Sequence, residues 1–396
     1  MNNFEYFNPV RIIFGAGEVK RVGEEAAKYG KHALLVSYKD VSFYGDLFSR
    51  IHEKLKENGV EYTDCFAATA NPKISEAEKA IALGKENNVD LIIGIGGGSA
   101  MDLSKVVAAG ICYPHDIRKM IKFSHSTDEQ IPPKEALPMI MVPTLPATAS
   151  EMNPTAVITD DATLRKSYVW EPSCLYAKVS ILDPTLTLTL PPYQTACGAI
   201  DAMSHVVEPF FFSDEATFGN IDLHDHMQIG VIQAIYENTP KVLASPNDVQ
   251  LRGMMQFAAT VGLNGWLTCG VQGWTPMHQM GHVLSSHFQA THGATLACMM
   301  LAWMRFFANR AQNERFVKFA RLMYGTEDVL EAADKLEAYI RALGVQTRIH
   351  EFGVKETDLE TLTQGVVDVS FSADGTLASI PPITREDAYQ IYRLSL

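Results

Sequence analysis

Several features of specialised proteins are absent from this chain of 396 residues. None of its six cysteines belongs to a CxxC pair, which fits reduced thiols in a cytosolic protein. Lysine and arginine total 33 against 46 acidic residues, and the net charge of −13 leaves no basic excess that would neutralise nucleic-acid phosphates. The composition therefore argues against a nucleic-acid partner.

No segment combines the length and apolar character of a membrane anchor. The amino-terminal sequence MNNFEYFNPVRIIFG has no basic-plus-apolar leader, so no signal peptide is expected. The most apolar tract, residues 293–310, is interrupted by Arg305 and predicts a buried helix. With 47% hydrophobic and 20% charged residues, the chain is predicted to be a cytoplasmic globular protein that binds no membrane.

The order of apolar patterns predicts two domains. In the first half, short aliphatic runs alternate with helical patterns, which is typical of a parallel sheet with crossover helices. Strands are predicted at 32–37, 61–66, 89–96 and 137–144, and helices at 46–59, 74–88 and 99–109. Later, helical spacing dominates over 194–210, 225–243, 248–263, 274–288, 293–310, 312–323 and 327–343. We therefore predict an α/β domain over 1–186, an all-helical domain over 187–396, and a polar surface excursion at 113–136.

A glycine run, GIGGGS, follows the third predicted strand and opens a helix, which is the context of a phosphate-binding loop. Gly96, Gly97 and Gly98 would let backbone amides approach a pyrophosphate, because no Cβ atom stands in the way. Ser99 and Asp102 form an S-x-x-D pattern that predicts a capping box for the helix, with direct contact of Asp102 with a ligand as the alternative. The spacing is not GxGxxG, so a tight strand-to-helix turn without a ligand is the alternative.

A second candidate cofactor segment is PTLPATASE at 143–151, where the fourth predicted strand ends. Thr144 and Thr148 offer hydroxyl groups that suit a phosphate or a nicotinamide amide. Ordinary turn capping is the alternative interpretation of both threonines.

Four residues of the second half have the chemistry of one divalent-metal site: Asp201, His205, His278 and His292. Asp201 and His205 are four residues apart, so a helix would project both side chains from one face. His278 lies on a second predicted helix, and His292 precedes Gly293, where the backbone can turn. Three imidazoles and one carboxylate suit Fe(II) or, alternatively, Zn(II).

Other histidines have more than one interpretation. HQMGH matches the spacing of the HExxH zinc-protease motif, but Gln279 stands where that motif needs its glutamate base. His282 lies one turn after His278, so one of them can bind metal while the other moves a proton. His224 and His226 are two residues apart on a predicted helix, face different directions, and are predicted to lie on the surface.

Together and in order, four segments resemble the iron-containing (group III) alcohol dehydrogenase family, in its butanol dehydrogenase and broad aldehyde reductase branch. They are GGGSAMDLSK, PTLPATASEMN, ILDPTLTLTLPPYQTACGAIDAMSHVVE and HQMGHVLSSHFQATHG. The resemblance implies a Rossmann-like amino-terminal domain and an all-helical carboxyl-terminal domain, with cofactor and metal meeting in the cleft. It implies that the metal ligands are Asp201, His205, His278 and His292, and that His282 relays the proton. For the dinucleotide, it implies pyrophosphate binding by Gly97, Gly98 and Ser99. It also implies nicotinamide contacts by Thr144 and Thr148 and ribose binding by Lys166.

The residues after the first predicted strand bear on the choice of dinucleotide. Many family members place an aspartate there to bind the adenosine ribose, whereas aldehyde-reductase relatives have a glycine-rich stretch that admits NADP. In this chain the sequence is VSYKDVSFYG, and Tyr38, Lys39 and Asp40 match neither pattern. Lys39 would pair with a 2′-phosphate and Asp40 would repel it. The likeness to the branch tips the expectation from NAD toward NADP.

The expected activity is metal-dependent, NAD(P)-linked interconversion of a small primary alcohol and its aldehyde, such as butanol and butanal. Within the fold, polyol oxidation like that of glycerol dehydrogenase is the alternative. From another class, the alternative is a zinc hydrolase that uses His278 and His282. Trp266 and Trp274 are expected either to shape an apolar substrate pocket or to pack in the core. A homodimer is expected, since dimers are common in the family.

Overall fold

The computed structural model describes residues 1–127 and 130–396. Asp128 and Glu129, which fall in the predicted polar excursion, lie outside the described residues. Within the same excursion Met120 and Ile121 are buried, so the prediction that 113–136 is a surface segment is wrong for this part. Their apolar side chains join the core on one face of the sheet.

The first half of the chain forms a six-stranded parallel sheet and a separate antiparallel hairpin. The strands in the described residues are β1 (Arg11–Phe14), β2 (His32–Tyr38), β3 (Glu61–Ala68), β4 (Leu91–Gly96), β5 (Met139–Pro143), β6 (Thr155–Thr159), β7 (Lys166–Trp170) and β8 (Val179–Leu182). The sheet order is β1-β8-β5-β4-β2-β3, and β6 pairs with β7 in the hairpin. The aliphatic runs of β4 and β5 are buried on both faces, as a sheet covered by helices on both sides requires.

Helices cover the sheet and then make up the rest of the chain. They are α1 (Val22–Ala26), α2 (Leu47–Glu57), α3 (Ile74–Glu86), α4 (Gly98–Cys112), α5 (Pro192–Phe212), α6 (Glu215–Phe218), α7 (Asp222–Ala244), α8 (Val249–Gly262), α9 (Pro276–Phe288), α10 (His292–Phe307), α11 (Glu314–Tyr324), α12 (Val329–Ala342), α13 (Leu359–Ser370) and α14 (Arg385–Ser395). The predicted α/β part followed by an all-helical part is confirmed. The predicted boundary after residue 186 falls between β8 and α5 and stays a prediction.

The apolar tract at 293–310 forms a buried helix, as predicted, although the helix ends at Phe307. In α10, every residue is buried except His292 and Arg305. It packs on α5, α9, α12 and α14 in a single helical core. No helix in the described part of the chain is both long enough and apolar enough to cross a membrane.

The sheet topology creates a crevice at one edge. The chain passes from β2 outward to β3, and then returns through α3 to β4 on the other side of β2. At such a reversal in an open α/β sheet, the space outside the carboxyl ends of the strands is where ligands bind. Here those ends are Tyr38 on β2, Gly96 on β4 and Pro143 on β5.

Candidate active site

The glycine loop lies at the carboxyl end of β4 and is closely surrounded. Gly96 has φ +150°, a backbone conformation that favours glycine. A Cβ atom at Gly97 would lie 3.0 Å from Tyr38 Oη, and one at Gly98 would lie 2.5 Å from Thr148 Cγ2. The N-cap of α4 has no side-chain cap, so the first amides of this helix suit an anionic ligand. The glycines therefore serve a tight turn and also fit a phosphate.

The predicted capping box is wrong, because the helix begins before Ser99. The N-cap of α4 is Gly97, and no side chain caps it. Asp102 is buried inside the helix and accepts a hydrogen bond of 2.6 Å from Ser150 Oγ and one of 3.0 Å from the Val157 amide. Asp102 therefore joins α4 to the segment after β5 rather than closing its own helix.

The Lys105 ammonium group completes this buried connection, which the sequence analysis missed. Its Nζ donates to oxygens of the segment after β5: Ser150 Oγ at 2.8 Å, the Asn153 carbonyl at 2.8 Å and the Thr155 carbonyl at 2.7 Å. Burial lowers the pKa of Lys105 to about 8, and burial raises the pKa of Asp102. The available signal was the spacing, since Asp102 and Lys105 lie three residues apart in the helix after the glycines.

Thr144 and Thr148 both lie beside the glycine loop. The Thr144 amide donates to the Gly96 carbonyl at 2.9 Å, and its hydroxyl is 3.0 Å from the Tyr44 hydroxyl. Thr148 packs on Gly98, and its hydroxyl also accepts a hydrogen bond from a backbone amide two residues later. Turn capping thus operates at Thr148, while contact of either threonine with a nicotinamide stays a prediction.

The four predicted metal ligands come together from three helices. Asp201 and His205 lie on one face of α5, His278 on α9, and His292 at the start of α10. Asp201 Oδ1 lies 3.4 Å from His278 Nε2 and 3.9 Å from His292 Nε2. One ligand atom from each of these three residues lies within 4.8 Å of the others. His205 stands beside this triangle: its Nδ1 is 3.7 Å from Asp201 Oδ1, and its ring stacks on that of His278.

Unpartnered atoms in this cluster fit a cation. Asp201 Oδ1, His205 Nδ1, His278 Nε2 and His292 Nδ1 are buried and find no hydrogen-bond partner among the described residues. Leaving one such atom unsatisfied costs about 1–3 kcal/mol, so four together call for an explanation. Burial lowers the pKa of His205 to about 4 and that of His292 well below its ordinary value. The neutral imidazoles of His205 and His292, together with the Asp201 carboxylate, suit a divalent transition-metal ion.

Glu208 is a functional residue that the sequence analysis missed. It is fully buried on α5 and accepts hydrogen bonds from His278 Nδ1 and, at 2.5 Å, from the Met277 amide. Burial alone lowers the pKa of His278, but the carboxylates of Glu208 and Asp201 outweigh this effect and raise it to about 9. Glu208 therefore holds the ring with Nε2 toward Asp201, as carboxylates behind metal-binding histidines commonly do. Its position seven residues after Asp201, on the same helix face, was the available signal.

Gly293 does not form the expected turn. It lies inside α10, and a Cβ atom there would lie only 2.0 Å from the carbonyl oxygen of Cys197 on α5. The glycine is needed because α5 and α10 approach each other closely at this point. Its role is thus to bring His292 near Asp201, and the prediction of a turn is wrong.

His282 lies next to the cluster. Its ring centroid is 5.2 Å from that of His292 and 6.5 Å from that of His278, and the residue is buried. Burial, the largest cause, and the charge of Lys166 lower the pKa of His282 well below its ordinary value. A neutral imidazole at this position can accept a proton.

Lys166 connects the hairpin to the helical part. Its buried Nζ donates to Asn71 Oδ1 at 2.7 Å and to Ser285 Oγ, on α9, at 3.4 Å. Burial lowers its pKa to about 8. Lys166 therefore stands between the sheet edge and the histidine cluster, and contact with a ribose stays a prediction.

The remaining candidates lie at the end of β2. Tyr38 contacts the glycine loop, and burial, the largest effect, raises its pKa to about 12. Lys39 Nζ is 2.9 Å from Glu76 Oε1, and Asp40 accepts a hydrogen bond from the Ser42 amide. Their role toward a dinucleotide stays a prediction.

The predicted surface position of His224 and the predicted core packing of two tryptophans need correction. His224 is buried, with Nε2 2.8 Å from the Cys269 carbonyl oxygen, whereas His226 is exposed as predicted. Trp266 and Trp274 are about half exposed, at 49% and 47%, so core packing is wrong for both. Trp266 instead makes an edge-to-face contact with Tyr6.

Comparisons with known proteins agree with this geometry. The family model "Iron-containing alcohol dehydrogenase" matches residues 9–184, and "Fe-containing alcohol dehydrogenase family, C-terminal" matches 195–396. "Probable NADH-dependent butanol dehydrogenase 1" of Bacillus subtilis is 32% identical, with both chains covered completely. The NADPH-dependent aldehyde reductase YqhD of Escherichia coli is 30% identical over 91% of this chain and 92% of its own.

A solved structure extends the likeness to three dimensions. NADH-dependent butanol dehydrogenase A from Thermotoga maritima has a TM-score of 0.91 at 30% identity, and the match covers 100% of this chain and 99% of that one. Neither the polyol alternative nor a zinc hydrolase is favoured by these relatives. The predicted resemblance is confirmed: the chain belongs to the iron-containing alcohol dehydrogenase family and is an NAD(P)-linked oxidoreductase.

Proposed function

We propose that this protein interconverts a small primary alcohol and its aldehyde, with butanol and butanal as representative substrates. The observation that carries the proposal is the convergence of ligand atoms of Asp201, His278 and His292, of which Asp201 Oδ1 and His278 Nε2 are buried and have no hydrogen-bond partner among the described residues. Two relatives that are 32% and 30% identical carry butanol dehydrogenase and aldehyde reductase names, which supports this substrate class.

The metal would be held by Asp201, His205, His278 and His292, with Fe(II) as the first candidate and Zn(II) as the alternative. When bound, the cation would supply a Lewis acid for negative charge on the substrate oxygen, while the dinucleotide exchanges a hydride with the adjacent carbon. The Asp201 carboxylate reduces the positive charge of the site. Glu208 keeps the His278 ring in the orientation that presents Nε2.

His282 would carry the proton of the reaction. Its buried, neutral ring can accept a proton when an alcohol is oxidised and return it when an aldehyde is reduced. Its ring lies 5.2 Å from the ring of His292, so the proton carrier would act next to the substrate oxygen.

The dinucleotide would lie across the crevice at the carboxyl end of β4. Gly97, Gly98 and Ser99 would receive the pyrophosphate at the start of α4, since the helix amides there have no side-chain cap. Thr144 and Thr148 would contact the nicotinamide side, and Lys166 the ribose. We also propose a cytoplasmic homodimer, because the scattered cysteines fit a reducing compartment and symmetric dimers are the commonest oligomers.

A panel of aldehydes and alcohols, including butanal and glycerol, assayed with NADH, NADPH and their oxidised forms, tests the proposal. We expect butanal-dependent oxidation of the reduced nicotinamide by protein reconstituted with Fe(II) or Zn(II). Removal of the metal by a chelator, or Asp201→Ala, is expected to abolish it. Absence of turnover with every substrate after reconstitution with either metal would refute the proposal.

A further inference from the structure

The side chain of Asn8 joins two parts of the chain that lead to different halves of the candidate site. Its Nδ2 donates to the Met152 carbonyl at 2.8 Å, in the segment between β5 and β6. It also donates to the Asn264 carbonyl at 3.2 Å, at the start of the loop between α8 and α9. Its Oδ1 accepts a hydrogen bond from the Val10 amide at 3.1 Å, which orients both N–H groups toward the two carbonyls.

The segment between β5 and β6 carries Thr148, one of the proposed nicotinamide contacts. The Met152 amide donates to the Ala149 carbonyl at 2.8 Å, so a tight turn connects it with Thr148. The next side chain, Asn153, donates to the carbonyls of Thr148 and Ala149 at 3.1 and 2.8 Å. Because these hydrogen bonds tie the turn together, a shift of Met152 is transmitted to Thr148.

The loop between α8 and α9, residues 263–275, leads to the histidine cluster. It ends where α9 begins, two residues before His278. From α7, Gln228 Nε2 holds the middle of the loop by donating to the Leu267 carbonyl at 2.9 Å. Near its end, Gln272 Oε1 accepts hydrogen bonds of 2.6 Å from the next two backbone amides. The loop is thus a well-supported connection between its first residues and α9.

One face of α8 also packs on the segment between β5 and β6. Gln256 Nε2 donates to the Pro143 carbonyl at 3.2 Å, and Thr260 Oγ1 donates to Glu151 Oε1 at 2.6 Å. The next position at this four-residue spacing is Asn264, but α8 ends two residues before it. Its own side chain accepts a hydrogen bond from the amide two residues later. An amide group from the amino-terminal segment therefore completes the row of contacts where the helix has ended.

The amino-terminal segment that contains Asn8 lies against the same loop. The Asn2 amide donates to the Gly270 carbonyl at 2.8 Å. The ring of Tyr6 meets that of Trp266 edge to face, with centroids 5.0 Å apart. These contacts hold Asn8 in place beside the loop.

We propose that Asn8 is a positioning residue, which fixes the spacing between the dinucleotide side and the metal side of the site through one amide group. The inference rests on the proposed function, in which Thr148 contacts the nicotinamide and His278 holds the metal. Hydride transfer needs reacting atoms about 3–3.5 Å apart, so a change of about 1 Å in this spacing slows it strongly while each ligand keeps its own contacts. In Asn8→Asp a carboxylate replaces both N–H groups, which turns two hydrogen bonds into repulsion between oxygen atoms.

Asn8→Asp is compared with the control Asn3→Asp, which makes the same change at an exposed position of the same segment. In protein reconstituted with Fe(II) or Zn(II), the rate of hydride transfer from the bound reduced dinucleotide to butanal is measured in a single turnover. Metal content, the dissociation constant of the dinucleotide and KM for butanal are measured in parallel. We expect Asn8→Asp to slow hydride transfer about tenfold or more and to change the other three quantities less than about twofold.

Hydrogen exchange of the protein without metal or dinucleotide gives a readout that does not depend on turnover. We expect amides of 144–153 and 264–275 to exchange about tenfold faster in Asn8→Asp, as loss of a hydrogen bond of ordinary strength predicts. In Asn3→Asp their exchange should stay unchanged. Asn8→Ala removes the same donors without adding a charge, and it provides the comparison if Asn8→Asp misfolds.

Hydride transfer as fast in the Asn8 variants as in the control, or unchanged hydrogen exchange, would overturn this inference alone. So would a loss of metal or of dinucleotide affinity as large as the loss of rate, because Asn8 would then only stabilise the binding sites. If the wild-type protein transferred no hydride with either metal, the proposed function would fall and the inference with it.

Discussion

Glu208 and His278 are joined twice, through the ring Nδ1 and through the backbone amide of the histidine. One carboxylate on α5 thereby fixes both the tautomer of the ring and the start of α9. Since Nδ1 donates to Glu208, Nε2 is the atom left to face Asp201 at 3.4 Å. The orientation of a proposed metal ligand thus depends on a residue that would never touch the metal.

Glu208→Gln is expected to weaken metal binding by about 10- to 100-fold, since loss of a carboxylate behind a metal-binding histidine typically has this effect. The affinity is measured by competition with a chelator of known strength. Glu237→Gln, an exposed glutamate on the neighbouring helix α7, serves as the control. Equal metal affinity of the two variants would show that Glu208 only stabilises the helix pair.

Gly293→Ala is expected to destabilise the protein by about 2–3 kcal/mol, because the new methyl group would overlap the Cys197 carbonyl. Separation of α10 from α5 should also move His292 and lower the metal content. Gly230→Ala is a matched control in another helix, where a Cβ atom meets nothing within 4 Å. Its expected effect is a gain of about 0.5–1 kcal/mol. The unfolding free energies of the two variants are measured with a denaturant. Similar values for both would contradict the close contact between α5 and α10.

Lys105→Met is expected to cost about 3 kcal/mol of unfolding free energy, because it leaves the carbonyl oxygens of Asn153 and Thr155 buried without their donor and the Asp102 carboxyl without the nearby positive charge. The double variant with Asp102→Asn should recover part of the loss, since the uncompensated carboxyl is then gone. A double-mutant cycle by denaturant unfolding measures the coupling. Strictly additive effects would mean that Lys105 and Asp102 do not act as a pair.

Asp225→Asn is expected to cost about 3 kcal/mol at neutral pH and much less in acid. Burial raises the pKa of Asp225, but Arg315 and Lys318 outweigh it and hold this pKa below its ordinary value. The stabilisation is therefore complete above the unfolded pKa of about 3.9 and is lost as the pH falls through the folded pKa.

Unfolding free energies measured across this pH range give the comparison. The control is Asp222→Asn, an exposed carboxylate 3.6 Å from Lys318 Nζ, which is expected to change stability by less than about 0.5 kcal/mol. If Asp225→Asn lowered the unfolding free energy by the same amount at acid and at neutral pH, the ion pair would be excluded as the cause of the loss.

The long helices could be predicted because their apolar spacing extends over many turns, whereas β1 and β8 escaped notice because each has only four residues. The metal ligands could also be predicted from a local pattern, since the four-residue spacing of Asp201 and His205 places both on one helix face. Predictions from local sequence patterns were wrong where contacts between distant parts of the chain determine the structure. The spacing of His224 and His226 shows that they face different ways but not which one is buried. A glycine such as Gly293 looks the same in sequence whether it turns the chain or admits a neighbouring helix.

The segment between β5 and β6 contacts both the glycine loop and α5, which lie on the two sides of the cleft. Thr148 packs on the glycine loop, the Pro146 carbonyl would lie 2.6 Å from a Cβ atom at Gly198 on α5, and Lys105 anchors the segment from beneath. These contacts involve protein atoms alone. The position of this one stretch of backbone consequently affects the glycine loop and α5 together.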